Sequence, residues 1–106
     1  MSEIMEIPKS FKLFGTAYSI VWDDKRANEI GAYGKISYTA SEILLSESFG
    51  GVSLSDDQKA NTFYHERVHA ILYEMGESEL NENEKFVDIF AKLWKQSEDT
   101  AVYKKK

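Results

Sequence analysis

"TFYHERVHAIL", residues 62–72, holds both histidines of the 106-residue chain and lies in the segment with the clearest helical period. Ser55 and Gln58 form a capping box that predicts the start of a helix, and Gly76 after Met75 is a typical C-terminal signal. The apolar residues of this segment fall on one arc of a helix: Ala60, Tyr64, Val68, Ile71, Leu72 and Met75. We therefore predict a helix from Ser55 to Met75 with one face on the core.

The spacing of the two histidines suits a metal ion. On a helix, His65 and His69 are about 40° apart around the axis and about 6 Å apart along it, so both imidazoles can reach one ion. Glu66 lies about 60° further round, where it can contact a water on that ion. Such a water has its pKa lowered towards about 7, and a carboxylate can take its proton during attack on a carbonyl. This HExxH pattern indicates zinc-dependent hydrolysis of a peptide bond.

Histidines at this spacing can also simply border a core or lie on a solvated face. Arg67 and Glu74 occupy the opposite arc, which we expect to be the solvated one, whereas His65 and His69 adjoin the apolar arc. A chance HExxH is expected in roughly one of a few hundred chains of this size. The helical pattern around the motif therefore favours a metal site.

Two histidines do not complete a zinc site, and the chain has no third histidine and no cysteine. The third ligand must then be a carboxylate, and the candidates after Gly76 are Glu77, Glu79, Glu82, Glu84 and Asp88. Glu84 is best placed, because it lies in the first turn of a second predicted helix, at the edge of the buried face of that helix. Glu82 is the second choice. The residues alone equally allow Glu84 to be the reciprocal half of a capping box with Asn81.

The second helix is predicted to start at this capping pattern and to end near Gln96. It should have a wide buried face: Phe86, Val87, Ile89, Phe90, Leu93 and Trp94. Residues 1–10 and 97–106 are predicted to be tails. Val102 and Tyr103 raise the alternative that the C-terminal tail lies across the site as a plug, although two apolar residues gain little by ordering.

The first half of the chain reads as short strands. Residues 11–24 predict one hairpin, and residues 36–46 predict a second, whose last strand is Glu42–Ser46. Residues 24–34 are predicted as a loop with at most one helical turn, and "FGGVSLS", residues 49–55, as a flexible connection.

Length, net charge and the lack of a long apolar run exclude several classes of protein. The length of 106 residues predicts a single domain over residues 1–106, and the net charge of −5 argues against a general nucleic-acid or anionic-membrane binder. No apolar run approaches the roughly 18 residues of a membrane span, and the start of the chain lacks a signal-peptide pattern. We expect a cytoplasmic protein; the sequence leaves its oligomeric state open.

"TFYHERVHAIL" followed by "NENEKFVDIFAKLW", residues 81–94, resembles the small phage and bacterial metallopeptidases of the gluzincin type, including the minigluzincins and the ImmA/IrrE-like group. In that family HExxH supplies two zinc ligands and the catalytic base, and a Glu opening the next helix supplies the third ligand. Glu84, Val87, Phe90 and Ala91 match the pattern of that helix. With the strand-like "YGKISYTASEILLSES", residues 33–48, the resemblance covers Phe11 to Trp94.

The resemblance implies a minimal zincin-like α+β domain, in which a small twisted β-sheet packs on the HExxH helix and a second C-terminal helix. It also implies that His65, His69 and Glu84 bind Zn²⁺, that Glu66 is the general base, and that a peptide or protein substrate adds along an edge strand near Glu42–Ser46.

The residue that stabilises the oxyanion is left open among Tyr38, Tyr73 and Tyr103, and a domain this small predicts a weak or latent peptidase. Two alternatives remain: a zinc-binding regulatory or interaction module without turnover, and a metal-free interaction protein with a chance motif.

Overall fold

The computed structural model describes residues 7–104, and within that range the chain forms four helices and six short strands. In chain order the elements are β1 (Ser10–Leu13), β2 (Thr16–Trp22), α1 (Asp24–Ile30), β3 (Gly34–Ser37), β4 (Glu42–Leu45), β5 (Ser48–Phe49), β6 (Val52–Ser53), α2 (Asp56–Met75), α3 (Ser78–Glu82) and α4 (Glu84–Thr100). The predicted α+β class is confirmed. Most of the predicted N-terminal tail lies outside the described residues, but its last member, Ser10, opens β1.

The main sheet has the strand order β1-β2-β4-β3. The two predicted hairpins are confirmed as the antiparallel pairs β1–β2 and β3–β4, and β2 joins them by pairing in parallel with β4, with Ile20 opposite Ile43. The prediction that Glu42–Ser46 contains an edge strand is wrong. Ile43, Leu44 and Leu45 are all buried, as is usual for a strand with neighbours on both sides and cover on both faces. The edge strand of this hairpin is β3.

Two segments that the sequence analysis treated as loops are ordered elements. Asp23 caps α1 by accepting a hydrogen bond from the Arg26 N–H, and Gly31 ends it in the left-handed conformation with φ 72°. A parallel strand pair needs a crossover connection, and α1 together with β3 provides it between β2 and β4. In the predicted flexible connection, β5 and β6 form a two-stranded hairpin around Gly50 and Gly51.

α2 begins and ends as predicted. Ser55 and Gln58 make both hydrogen bonds of the capping box, and Gly76 closes the helix with φ 75°. α2 contacts β3 and β4 as well as α3 and α4. The buried cluster therefore combines residues of β4, α2 and α4: Ile43, Leu45, Phe63, Tyr64, Val68, Leu72, Val87 and Ala91. No described helix, α2 included, is long and apolar enough to cross a membrane.

The start of α4 differs from the prediction. Asn83, not Asn81, is the N-cap, because its side chain accepts the Phe86 N–H at 3.0 Å, whereas the Asn81 N–H donates to Glu77 O at 2.9 Å. The predicted capping box of Asn81 and Glu84 is therefore wrong. Asn81 belongs instead to the short helix α3, which lies between Gly76 and the start of α4.

The length and burial of α4 also differ. The helix continues to Thr100, four residues past the predicted end, and its exposed apolar side is larger than expected, since Ile89, Phe90 and Leu93 are about half exposed. Thr100 lies about 24 Å along the axis from the first residue of α4. The tail thus starts far from the histidines, and its apolar residues Val102 and Tyr103 are exposed, which contradicts the alternative of a plug across the site.

The arc of α2 opposite the histidines was predicted to be solvated, and this prediction is wrong. The Arg67 guanidinium lies over the rings of Phe11, Trp94 and Phe63, at 4.7, 5.1 and 5.5 Å from their centroids. Within residues 7–104 its Nε is buried without a hydrogen-bond partner. Glu74 accepts a hydrogen bond of 2.6 Å from the Tyr18 hydroxyl. The sheet therefore covers this arc, because β1 and β2 bring aromatic side chains onto it.

Candidate metal centre

The two histidines of α2 converge on one carboxylate at the start of α4. His65 Nε2 lies 3.1 Å from Glu84 Oε1, and His69 Nε2 lies 3.2 Å from Glu84 Oε2. The imidazole rings are 5.0 Å apart between centroids, as expected for positions i and i+4 of a helix. The turn at Gly76 and the short α3 return the chain so that the first residue of α4 faces the histidines.

These distances fit a small metal ion. Around a tetrahedral ion with bonds of about 2.0–2.1 Å, neighbouring donor atoms lie roughly 3.3–3.4 Å apart. The ligand atoms of His65, His69 and Glu84 all lie within 4.8 Å of one another, so the three side chains can hold one ion. Of the five carboxylates considered from the sequence, Glu84 is the one the structure brings to both histidines; Glu82, the second choice, is exposed outside the group.

His69 has a second polar contact behind its metal-facing nitrogen. Its Nδ1 lies 2.6 Å from Asn81 Oδ1, and Asn81 Nδ2 donates to the Tyr38 hydroxyl at 3.0 Å. Tyr38 in turn stacks on Tyr73, with ring centroids 4.3 Å apart and an interplanar angle of 15°. Sequence reasoning missed this role of Asn81, because its spacing to Glu84 carried a capping signal and nothing nearby pointed to a histidine.

His65 is held less closely on its far side. Its Nδ1 lies 3.7 Å from Asp88 Oδ1, which is beyond hydrogen-bonding distance. Asp88, one turn after Glu84 on α4, forms an ion pair of 3.0 Å with Lys92. Asp88 therefore contributes negative charge near His65 without fixing the orientation of the ring.

Glu66 lies beside the group but is not a member of it. Its Oε1 accepts a hydrogen bond of 3.1 Å from the Ile36 N–H of β3, which anchors the carboxylate to the edge strand. Burial raises the pKa of Glu66, and the adjacent His65 and His69 and the Ile36 N–H act in the opposite direction. The predicted separation of Glu66 from the metal ligands is thus present in the structure.

Open cavities flank the histidines on both sides. One of about 490 Å³ is lined by Tyr38, His69, Ser78, Asn81, Glu82 and Glu84. Another of about 310 Å³ is lined by Tyr33, Gly34, Asn61, Thr62, His65, Glu66 and Asp88. Gly34 of β3 and the two tyrosines that flank this strand, Tyr33 and Tyr38, thus border the cavities beside the histidines.

Of the three tyrosines considered for the oxyanion, the fold brings one to the lining of a cavity beside the histidines. Tyr38 borders the cavity that contains His69 and Glu84. Tyr73 lies behind it in the stacked pair, and Tyr103 is exposed beyond the far end of α4. Tyr38 is therefore the tyrosine of this set that reaches the candidate site.

Comparisons with models of protein families, with curated proteins and with solved structures gave no match to this chain.

Proposed function

We propose that the chain is a zinc-dependent peptidase with His65, His69 and Glu84 as metal ligands and Glu66 as general base. The observation that carries the proposal is the meeting of two imidazole Nε2 atoms with one carboxylate at 3.1 and 3.2 Å, beside a separate anchored glutamate. Two histidines and one glutamate are a donor set typical of catalytic zinc, since they leave one of four coordination positions without a protein ligand.

Zinc bound there would lower the pKa of a water ligand towards about 7 and polarise the scissile carbonyl group. Glu66 takes the proton of the attacking water and passes it to the leaving amine. The hydrogen bond from the Ile36 N–H occupies Oε1 of Glu66, so Oε2 is the oxygen left for this proton transfer. The anchor also keeps Glu66 away from the ligand set, where it would displace the water.

Tyr38 is the proposed donor to the oxyanion. Its hydroxyl accepts the Asn81 Nδ2–H, so its own O–H remains free to donate to a substrate oxygen. Burial raises the pKa of Tyr38, which keeps the hydroxyl protonated at neutral pH. A peptide carbonyl between the metal ligands and Tyr38 would occupy the cavity beside His69.

The proposed substrate is an extended peptide segment along β3. This strand is paired on one side with β4 and lies at the edge of the sheet. On its other side Glu66 holds the Ile36 N–H, and the remaining backbone groups can pair with an added strand. The flanking cavities are open and their walls are built from few residues. A substrate is therefore held by few contacts, and we expect slow turnover.

Metal analysis combined with a matched pair of variants tests the proposal. Protein purified without chelators is expected to contain one zinc per chain and to cleave an unfolded protein. Glu66→Gln should retain the zinc and lose roughly 100-fold or more of the turnover, because it keeps the shape and removes the base. Glu79→Gln makes the same chemical change on an exposed glutamate of α3 that lines neither cavity, and it should retain both the zinc and the turnover.

Absence of bound metal, or full turnover in Glu66→Gln, would contradict the peptidase assignment. Stoichiometric zinc without turnover in the unmodified protein would instead favour a zinc-binding module.

A further inference from the structure

Asn81 connects His69 to the rest of the fold through two hydrogen bonds. Its Oδ1 lies 2.6 Å from His69 Nδ1, and its Nδ2 donates to the Tyr38 hydroxyl at 3.0 Å. His69 is only 9% exposed, so its Nδ1 depends on a protein partner. Asn81 supplies that partner from α3, an element that the sequence analysis did not foresee.

The chemistry of the amide decides what the contact does. A carbonyl oxygen only accepts hydrogen bonds, so the imidazole nitrogen facing Oδ1 must carry the hydrogen. We propose that Asn81 is a positioning residue that keeps a proton on His69 Nδ1 and thereby directs the lone pair of Nε2 to a metal shared with Glu84. The proposal rests on the metal site proposed above.

Tyr38 provides the second contact of the amide. Asn81 Nδ2 donates to the Tyr38 hydroxyl at 3.0 Å, which holds the Asn81 side chain in place against His69. Tyr38 is itself braced by its stacking on Tyr73. The orientation of His69 is thus set by residues of α3, of the segment after β3, and of α2 together.

The two histidines differ in how closely a neighbouring side chain holds their Nδ1 atoms. The far nitrogen of His65 has its nearest carboxylate, Asp88, at 3.7 Å, whereas that of His69 has a contact of 2.6 Å. His69 is therefore the fixed ligand, and His65 is the one that adjusts when an ion enters. Outer partners of metal-bound histidines commonly contribute 10- to 100-fold in metal affinity.

Zinc affinity measured by competition with a chelating dye tests the role without relying on turnover. Asn81→Ala should weaken binding by roughly 10- to 100-fold, and Asn81→Asp, which keeps an acceptor at the same place, should restore it to within a few-fold of the unmodified protein. Tyr38→Phe keeps the ring and removes the hydroxyl, so it should weaken binding by less than Asn81→Ala.

Asn28→Ala is the matched control, because Asn28 also makes side-chain hydrogen bonds, to Asp24 O, Ser48 O and the Gly50 N–H, and contacts neither histidine. It should leave zinc affinity unchanged. Equal affinity in Asn81→Ala and the unmodified protein, equal losses in Asn81→Ala and Asn28→Ala, or no recovery in Asn81→Asp would overturn the proposal.

Proton–nitrogen NMR of the metal-free protein separates this inference from the peptidase assignment. A slowly exchanging Nδ1–H signal of His69 is expected, and Asn81→Ala should lose it. If the protein bound no zinc while this signal still depended on Asn81, the metal site would fail and the control of the His69 proton would stand. Absence of the signal in the unmodified protein would overturn the inference, whatever the metal content.

Discussion

Gly34, the first residue of β3, offers the sharpest test of how closely the edge strand packs on α2. A Cβ at this position would lie 2.6 Å from Thr62 Cγ2, 2.8 Å from Leu44 O and 3.1 Å from Leu45 Cδ2. The methyl of Thr62 is at the end of a side chain, but the Leu44 oxygen belongs to the neighbouring strand and cannot move without disturbing the sheet. Gly34→Ala should therefore destabilise the protein by about 2 kcal/mol, within the usual range for overpacking.

For a domain of this size, about 2 kcal/mol corresponds to a fall in Tm of roughly 8–16 °C, measured by thermal unfolding followed by circular dichroism. Thr62→Ser separates the two clashes, because it removes Cγ2 and keeps the hydroxyl that donates to Gln58 O at 2.9 Å. In the double variant we expect recovery of roughly 1 kcal/mol, since the Leu44 contact remains. A Tm for Gly34→Ala equal to that of the unmodified protein would refute the packing argument, and no relief from Thr62→Ser would refute the assignment of the clash.

Three further predictions concern the site and the end of α4. Glu84→Ala should weaken zinc binding by more than about 100-fold and Glu82→Ala should leave it unchanged in dye competition, because a ligand outweighs an outer partner; the reverse result would show that the wrong carboxylate was chosen. His65→Ala and His69→Ala should each weaken zinc binding by more than about 100-fold in the same assay, since each removes one of the three proposed ligands; stoichiometric zinc in either variant would exclude that histidine as a ligand. Deletion of residues 101–106 should leave zinc content and turnover unchanged, because the described part of the tail is exposed far from Glu84. Increased turnover would instead support the alternative that the tail covers the site.

Local rules were sufficient for α2. Its two ends depend on interactions within four residues of sequence, the capping box of Ser55 and Gln58 and the left-handed Gly76. The helical period then fixes the angle between His65 and His69. The placement of both histidines on one side of α2 therefore follows from the sequence with no tertiary information.

The start of α4 could not be predicted from local sequence rules alone. Asn81 and Asn83 are both good N-cap residues, and the spacing from Asn81 to Glu84 suggested a capping box. The structure uses Asn83 as the cap and commits the Asn81 side chain to His69 and Tyr38. That choice depends on residues 12 and 43 positions away in the chain, so no window around Asn81 could reveal it.

The position of β4 in the sheet had a signal that the sequence interpretation underused. Ile43, Leu44 and Leu45 form an unbroken apolar run, which is typical of a strand covered on both faces. The interpretation as an edge strand gave Glu42–Ser46 a hydrogen-bonded neighbour on one side alone. In the structure β4 also pairs in parallel with β2, and pairing between distant strands is not visible in the local pattern.

The enclosure of Arg67 has a consequence for the way the chain is made. The aromatic rings around this guanidinium come from β1, α2 and α4, so Phe11 is synthesised early and Trp94 late. Until α4 has left the ribosome, the cation and the apolar surface of Phe11 and Phe63 stay uncovered. Folding is therefore expected to finish only after synthesis of nearly the whole described chain, and a nascent chain halted before Trp94 should remain sensitive to protease.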